Sequence, residues 1–258
     1  MQFFILNLIN LFVLLNFIAN AEWANWRGPN MDGSSSAKNV PAKFSQDQNI
    51  RWSIDMKGKA ASTPIISAGK VFITTTDEGK KELLAVAYDL KSGKEQWSKV
   101  VGKGLNQDNR SNYAGASPVS DGKHVVFFYG TGDMAVFSHD GKLRWKKNIQ
   151  EEYGKFYFLW TFSSSPIIHD GKIILQVLQR DTPVHPAQQG GGKQSSYILA
   201  LSLDEGKEIY KTSRPDEAKS ESKEAFSTPV IHKFNGEPQL LITGGDCITG
   251  HDPSTGKE

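Results

Sequence analysis

Cysteine is almost absent from this sequence: Cys247 stands alone. A single thiol closes no internal disulfide, and a C-x-x-C-H haem attachment site is impossible. Metal-ligand spacing is missing as well. The six histidines, at 124, 139, 169, 185, 232 and 251, form no H-x-H or H-E-x-x-H pattern, so a metal centre has no support. Most fall in or beside turns and are expected to be solvated. Charge of one sign is not in excess: 30 basic against 28 acidic residues leave a net +2, which sets up no field for nucleic acid or an acidic membrane. No G-x-S-x-G nucleophile elbow occurs. The paired Glu151-Glu152 lies in a polar linker with no placed partner, so it does not point to glycoside hydrolysis. Gly190-Gly191-Gly192-Lys193 has the look of a phosphate loop, but position 187 is Ala and position 194 is Gln. Both defining positions fail, and a flexible hairpin tip is the expectation. Helical periodicity of any length is lacking too.

Strands and turns are what the chain does contain. Its 24 glycines, 11 prolines and 10% aromatic content suit many short strands joined by tight turns. Leu84 to Trp97 reads LAVAYDLKSGKEQW: an apolar strand runs into Asp89, turns at Ser92-Gly93 and restarts toward Trp97. The pattern returns as MAVFSHDGKLRW (Met134 to Trp145), ILALSLDEGKEIY (Ile198 to Tyr210) and ITGHDPSTGKE (Ile248 to Glu258). The turn glycines Gly93, Gly141, Gly206 and Gly256 recur roughly every 50 residues, with one longer step, which is the size of a propeller blade. Each unit opens on Ser/Thr-Pro, at Thr63-Pro64, Ser117-Pro118, Ser165-Pro166 and Thr228-Pro229. There proline costs no ladder hydrogen bond. Four strand-like runs per unit are expected. Ile50 to Ile54 reads as a further short strand, cut off from its own unit and suited to pairing with the C-terminal blade to close the ring.

Residues 1–21 are set apart. Phe3 to Ile18 is apolar apart from Asn7, Asn10 and Asn16, and Ala19-Asn20-Ala21 offers a small-x-small cleavage site. A signal peptide over 1–21 is expected despite the absence of Lys or Arg before Arg27. Residues 22–48 then form an N-terminal arm, and the repeats fill 49–258. With no cysteine just after the cleavage site, no lipid anchor is expected there. The exported protein is placed in the periplasm or outside the cell, with no membrane span after cleavage.

The A-x-D-x-x-(T/S)-G-K-x-x-W pattern of Ala87 to Trp97, with its upstream (S/T)-P-(I/V), resembles the pyrroloquinoline-quinone-like (PQQ-like) β-propeller repeat. The resemblance covers about Ile50 to Glu258, and Asn25-Trp26-Arg27-Gly28-Pro29-Asn30 looks like the opening of secreted bacterial members. Departures are local: Ser138-His139-Asp140 replaces the usual small-x-Asp approach, His251 sits where Tyr88 sits, and Tyr210 replaces Trp. The resemblance implies an all-β fold, here about four four-stranded blades of a seven- or eight-bladed ring. The alternative is a complete four-bladed ring. Quinoprotein dehydrogenases of the family add a vicinal Cys-Cys pair, a calcium held by carboxylate and amide side chains and a catalytic Asp. A single cysteine cannot make that pair, so no PQQ, no other cofactor and no catalytic or metal residue is expected.

Three stretches remain as candidate contacts. The N-terminal arm either packs its two tryptophans, Trp23 and Trp26, on the domain or offers a ligand or partner contact through Trp26 and Arg27. The aromatic run Tyr153 to Phe162 either packs between blades two and three or forms a platform at the channel mouth for a sugar or peptide. Arg180 to Lys193 is an insertion that is either a specificity loop or a disordered tip. Asn109-Arg110-Ser111 is a glycosylation sequon that matters only in a eukaryotic secretory pathway. The leading expectation is a non-enzymatic binding or scaffold propeller for a protein or polysaccharide. The alternative is a fragment of a quinoprotein-like oxidoreductase.

Overall fold

A computed structural model describes residues 22–258; the expected signal peptide lies outside the described residues. The first sheet is β1 (Ile65–Ser67), β2 (Lys70–Asp77), β3 (Glu82–Asp89) and β4 (Glu95–Lys103). The second is β5 (Val119–Ser120), β6 (His124–Phe128), β7 (Asp133–Ser138) and β8 (Leu143–Asn148), followed by a short helix α1 (Ile149–Tyr153). The third is β9 (Ile167–His169), β10 (Lys172–Val177), β11 (Tyr197–Ser202) and β12 (Glu208–Ser213). The fourth holds β13 (Val230–Phe234), β14 (Glu237–Gly244) and β15 (Cys247–His251). Every sheet is an antiparallel meander in chain order. The first strands of successive sheets stand side by side, β1 against β5 and β5 against β9. This is the partial β-propeller that the repeat period predicts.

Burial explains the strand sequences. The middle strands are covered on both faces, those of the first sheet by the second sheet on one side and by Met56 and Ala60 on the other, so Leu83 to Tyr88 is wholly buried and reads as a continuous apolar run rather than an alternating one. Phe72, Ala85 and Ala87 of the first sheet meet Val125, Phe127, Ala135 and Phe137 of the second. Phe128 and Val136 on the other face of the second sheet meet Leu175, Leu199 and Leu201 of the third. Ile174, Ile198 and Ala200 then meet Leu240 and Ile242 of the fourth. The outermost strand β8 is largely solvent-facing and carries Arg and Lys accordingly.

One contact recurs at every sheet boundary. Trp97 lies on Gly141 of the next sheet, Trp145 on Gly206 and Tyr210 on Gly256: a Cβ on those glycines would meet the ring at 2.8, 2.9 and 2.6 Å. Each ring also donates a hydrogen bond to the same hairpin. Trp97 Nε1 reaches the His139 carbonyl at 3.0 Å, Trp145 Nε1 that of Leu203 at 2.8 Å, and Tyr210 Oη that of Pro253 at 3.3 Å. The glycines have positive φ (+84°, +67° and +70°), so they serve both the left-handed turn and the close approach.

The expected strand at Ile50 to Ile54 is not there. The segment is irregular, and the fourth sheet has three strands, with no closing partner among the described residues. What the alternation had caught is a ring position. Trp52 lies on Gly93, 2.7 Å from where its Cβ would be, and donates to the Leu90 carbonyl at 3.0 Å. It takes the docking place on the first sheet that Trp97 takes on the second. The histidines also depart from the expectation of solvation. His251 is buried, with Nδ1 3.0 Å from the Gly256 carbonyl and Nε2 2.8 Å from Thr249 Oγ1. His139 is half-buried, its ring 5.1 Å from that of Phe72 and its Nε2 2.9 Å from Ser120 Oγ.

Two predictions follow from these contacts. Gly171 and Gly206 share a positive φ, but a Cβ at Gly171 meets nothing within 4 Å. Gly171→Ala is expected to cost about 1 kcal/mol of backbone strain. Gly206→Ala, which also displaces Trp145, is expected to cost roughly 2–4 kcal/mol. Urea midpoints measure the difference, and equal losses would remove the docking contact from the account. Burial lowers the His139 imidazole below its ordinary value, and Lys70 adds to this, against the opposing pull of the His124 backbone and of Asp121 and Glu22. The folded state thus disfavours the imidazolium, so its contribution is full above about pH 6.5 and is lost as pH falls toward the lowered value. Urea midpoints at about pH 7.5 and about pH 5.5 should converge in His139→Gln relative to the parent; an unchanged slope refutes the assignment.

Candidate functional site

The two ends of the sheets differ in kind. One end carries only tight turns, including those that receive the docked rings. The other carries the long connections 104–118, 149–166, 178–196 and 214–229 beside the short β2–β3, β6–β7 and β14–β15 turns. Sites on repeat folds are drawn from such loops on a rigid frame, so the loop end holds the candidate site.

At the axis, the residue before the opening Pro of each of the first three sheets makes the same bond. Thr63 N–H donates to Ser117 Oγ at 2.9 Å, Ser117 N–H to Ser165 Oγ at 2.9 Å, and Ser165 N–H to Thr228 Oγ1 at 3.3 Å. The N-terminal arm threads alongside. Glu22 Oε1 accepts from the Ala68 amide at 2.9 Å at the turn end. Trp23 exchanges backbone hydrogen bonds with Ile66 at 2.8 and 3.0 Å, and Ala24 O accepts from the Ser120 amide at 2.8 Å. The arm then folds on itself through Gly28 N–H to Asn25 O at 2.9 Å and Gly33 N–H to Arg27 O at 2.8 Å. Gly28 is required here, because a Cβ would strike the Trp23 ring at 2.7 Å. Trp26 ends at the loop end, 37% exposed, over a cavity of about 190 Å³ that Thr63, Ser117, Ser165 and Thr228 line. Trp23 packs on the first sheet, while Trp26 stands at the axial mouth with the Arg27 guanidinium 5.4 Å from its indole centroid.

Farther out, loops from three sheets are tied into one surface. Asp108 accepts from the Thr161 hydroxyl at 2.7 Å and from the Thr161 amide at 2.5 Å. Burial raises this carboxyl, but the Thr161 hydroxyl and the amides of Arg110, Thr161 and Ser111 outweigh it and hold it below the ordinary carboxylate value. Gln107 Nε2 and Gln188 Nε2 both donate to the Phe158 carbonyl, at 2.8 and 2.9 Å. Glu224 accepts from the Leu159 amide at 2.9 Å and pairs with Arg180. Lys223 reaches Asp181 at 3.3 Å and Asp216 at 3.6 Å. Trp160 stands on this surface, its Nε1 donating to Glu221 at 2.8 Å and its ring 4.1 Å from the Arg110 guanidinium carbon.

The aromatic run thus sits between the second and third sheets, not at the axial mouth. Phe156, Tyr157, Phe158 and Phe162 are buried; Trp160 alone of the large rings past Tyr153 is partly open. The insertion Arg180 to Lys193 is not a loose tip. His185 Nε2 lies 2.7 Å from the Leu159 carbonyl, Tyr157 Oη donates to Gly192 O at 2.8 Å, and Lys155 Nζ donates to the carbonyls of Ala187 and Gln189 at 3.2 and 2.8 Å. Glu151 and Glu152 lie on α1, where Glu152 pairs with Lys147 at 2.7 Å. Asp108, Gln107 and Glu224 were invisible in the sequence, since their partners lie far along the chain and no motif marks them.

Asp108→Ala should leave Thr161 without its acceptor. The expected cost is about 1–3 kcal/mol, with faster amide exchange confined to residues 105–112 and 158–162. Unchanged exchange there would show that the tie is not what orders the surface.

Comparisons with known proteins agree with the fold. The family described as "Outer membrane protein assembly factor BamB" matches residues 42–182, more than half of the chain. No curated protein matches. Among solved structures, the quinohemoprotein alcohol dehydrogenase of Comamonas testosteroni superposes at a TM-score of 0.58 and 15% identity, over 92% of this chain and 40% of that one. BamB of Moraxella catarrhalis gives a TM-score of 0.46 and 12% identity over 80% of this chain and 53% of that one. The chain spans about half or less of the length of these structures, and at 15% identity the likeness to the dehydrogenase speaks to fold alone. The repeats, the docked rings and the family match together place the chain in the BamB family of PQQ-like repeat propellers.

Proposed function

We propose that this chain is part of an exported, non-enzymatic binding propeller whose loop end holds a protein partner in the assembly of outer-membrane proteins. The observation that carries the reading is the tied surface: loops from three sheets lock one another through Asp108, Gln188 and Glu224 and hold up Trp160 with Arg110 stacked on it. A surface ordered before binding loses little entropy on association, and Trp and Arg are the side chains that dominate interface energetics. The family described as an assembly factor supports the same partner class.

Among the described residues no group of three or more His, Cys, Asp or Glu is placed to hold a metal ion, and the axial mouth offers hydroxyls, the Trp26 indole and the Phe226 ring. These side chains do not fit a calcium-held quinone. Export rests on residues 1–21. Among the described residues no helix is long and apolar enough to cross a membrane.

The test is binding of an immobilised chain to an outer-membrane β-barrel polypeptide diluted from urea. Trp160→Ala should weaken binding about tenfold or more with an unchanged urea midpoint. Equal binding by the variant, or quinone-dependent dye reduction with alcohols or sugars, would overturn the proposal.

A further inference from the structure

Between the second and third sheets at the loop end lies a cavity of about 250 Å³, separate from the axial mouth. Phe156, Phe158 and Phe162 form one wall, Gln150 and Lys155 stand at another, and Ala187 lies at the rim. The three phenylalanines are themselves packed mostly edge to face. Phe156 and Phe158 are 6.2 Å apart at 84°, Phe158 and Phe162 5.0 Å apart at 69°, and Phe162 and Phe128 5.6 Å apart at 79°.

The polar groups around the cavity are largely used up in holding its shape. Gln150 Oε1 accepts from the Phe156 amide at 2.8 Å, and its Nε2 donates to the Thr131 carbonyl at 2.8 Å. Gln188 Nε2 donates to Phe158 O, and its Oε1 accepts from the amides of Val184 and His185 at 2.8 and 3.1 Å. Lys155 uses two of its three N–H bonds on the carbonyls of Ala187 and Gln189. One ammonium donor remains on Lys155; Tyr113 and Gln107 also line the space, and no carboxylate does.

These features decide what fits. A sugar needs an open ring face and an array of free hydrogen-bonding groups; here the three phenylalanines are almost wholly buried and the side-chain amides of Gln150 and Gln188 are occupied. Another aromatic ring would extend the edge-to-face cluster, and the lone cation at the rim complements a negative charge beside that ring. Resting on the protein-binding reading above, we infer that this cavity receives an aromatic side chain flanked by a carboxylate, supplied by an extended polypeptide.

The probe is N-acetyl-L-phenylalanine, titrated against the chain by ligand-observed NMR, with its amide, N-acetylglycine and methyl glucoside as comparisons. Saturable binding of the acid is expected, about tenfold tighter than the amide, with neither N-acetylglycine nor the glucoside competing. Ala187→Phe, at an exposed rim position, should fill the space and abolish binding while keeping the urea midpoint. Lys155→Gln should keep the ring and lose the preference for the acid. No saturable binding to the parent, competition by the glucoside, or parental binding by either variant's criterion would overturn the inference. Trp160 does not line the cavity, so Trp160→Ala should still bind the probe. A parent chain that binds the probe but not the polypeptide sinks the proposed function and leaves the cavity. A parent chain that binds the polypeptide but not the probe does the reverse.

Discussion

A ring resting on a glycine joins each sheet to the next, and the architecture depends on it. A four-stranded meander of this size has two apolar faces and cannot cover either one by itself. Stacking sheets solves that, but hydrophobic packing is non-directional and would tolerate sliding. The docked ring removes the freedom. Trp97, Trp145 and Tyr210 each fit a bare Cα and each donate one hydrogen bond to the hairpin that holds it. Position and angle between neighbours are then fixed together. Tyrosine substitutes for tryptophan at the third boundary because its hydroxyl still reaches a hairpin carbonyl, at Pro253.

The inner edge is fixed by a different device. Proline has no N–H, so the first strand is anchored through the residue before it. That residue both donates its amide to the next sheet and, from its hydroxyl, accepts from the previous one, as Ser117 and Ser165 do. A hydroxyl in this place is a requirement of the ladder. The arm uses the remaining inner-strand groups, pairing Trp23 with Ile66 and capping the Ser120 amide with Ala24. Rings outside and hydroxyls inside thus hold each wedge at two radii.

Repetition made this frame legible. Glycine, aromatic and Ser/Thr-Pro positions recur in the sequence because the same two contacts recur in space. The reading failed where one contact occurs without its usual context. Trp52 docks like Trp97 but belongs to no strand, although the residues around it alternate as a strand's do. It failed again in the loops, where order comes from pairs distant in the chain. The glycines at 190–192 look flexible, yet Tyr157 and Lys155 hold them, and nothing local announces that. Likewise the aromatic density of 153–162 signalled burial correctly. Which ring stays at the surface is decided by Arg110 and Glu221, which belong to other loops.

The asymmetry between the two ends follows from the docking contact itself. At the turn end, hairpin length, glycine conformation and carbonyl direction are all dictated by the ring that must land there, and that end has little room to diversify. The second unit shows the limit: its hairpin is a residue shorter, yet Gly141 and the His139 carbonyl still meet Trp97. The loop end carries no such obligation beyond the inner ladder. Connections there can lengthen, as the insertion after Val177 does, provided their buried polar atoms find partners. They find them in one another, through Asp108, Gln188 and Glu224. Ties of that kind join three sheets' loops into one rigid surface, so a frame built by repetition ends in a face that does not repeat.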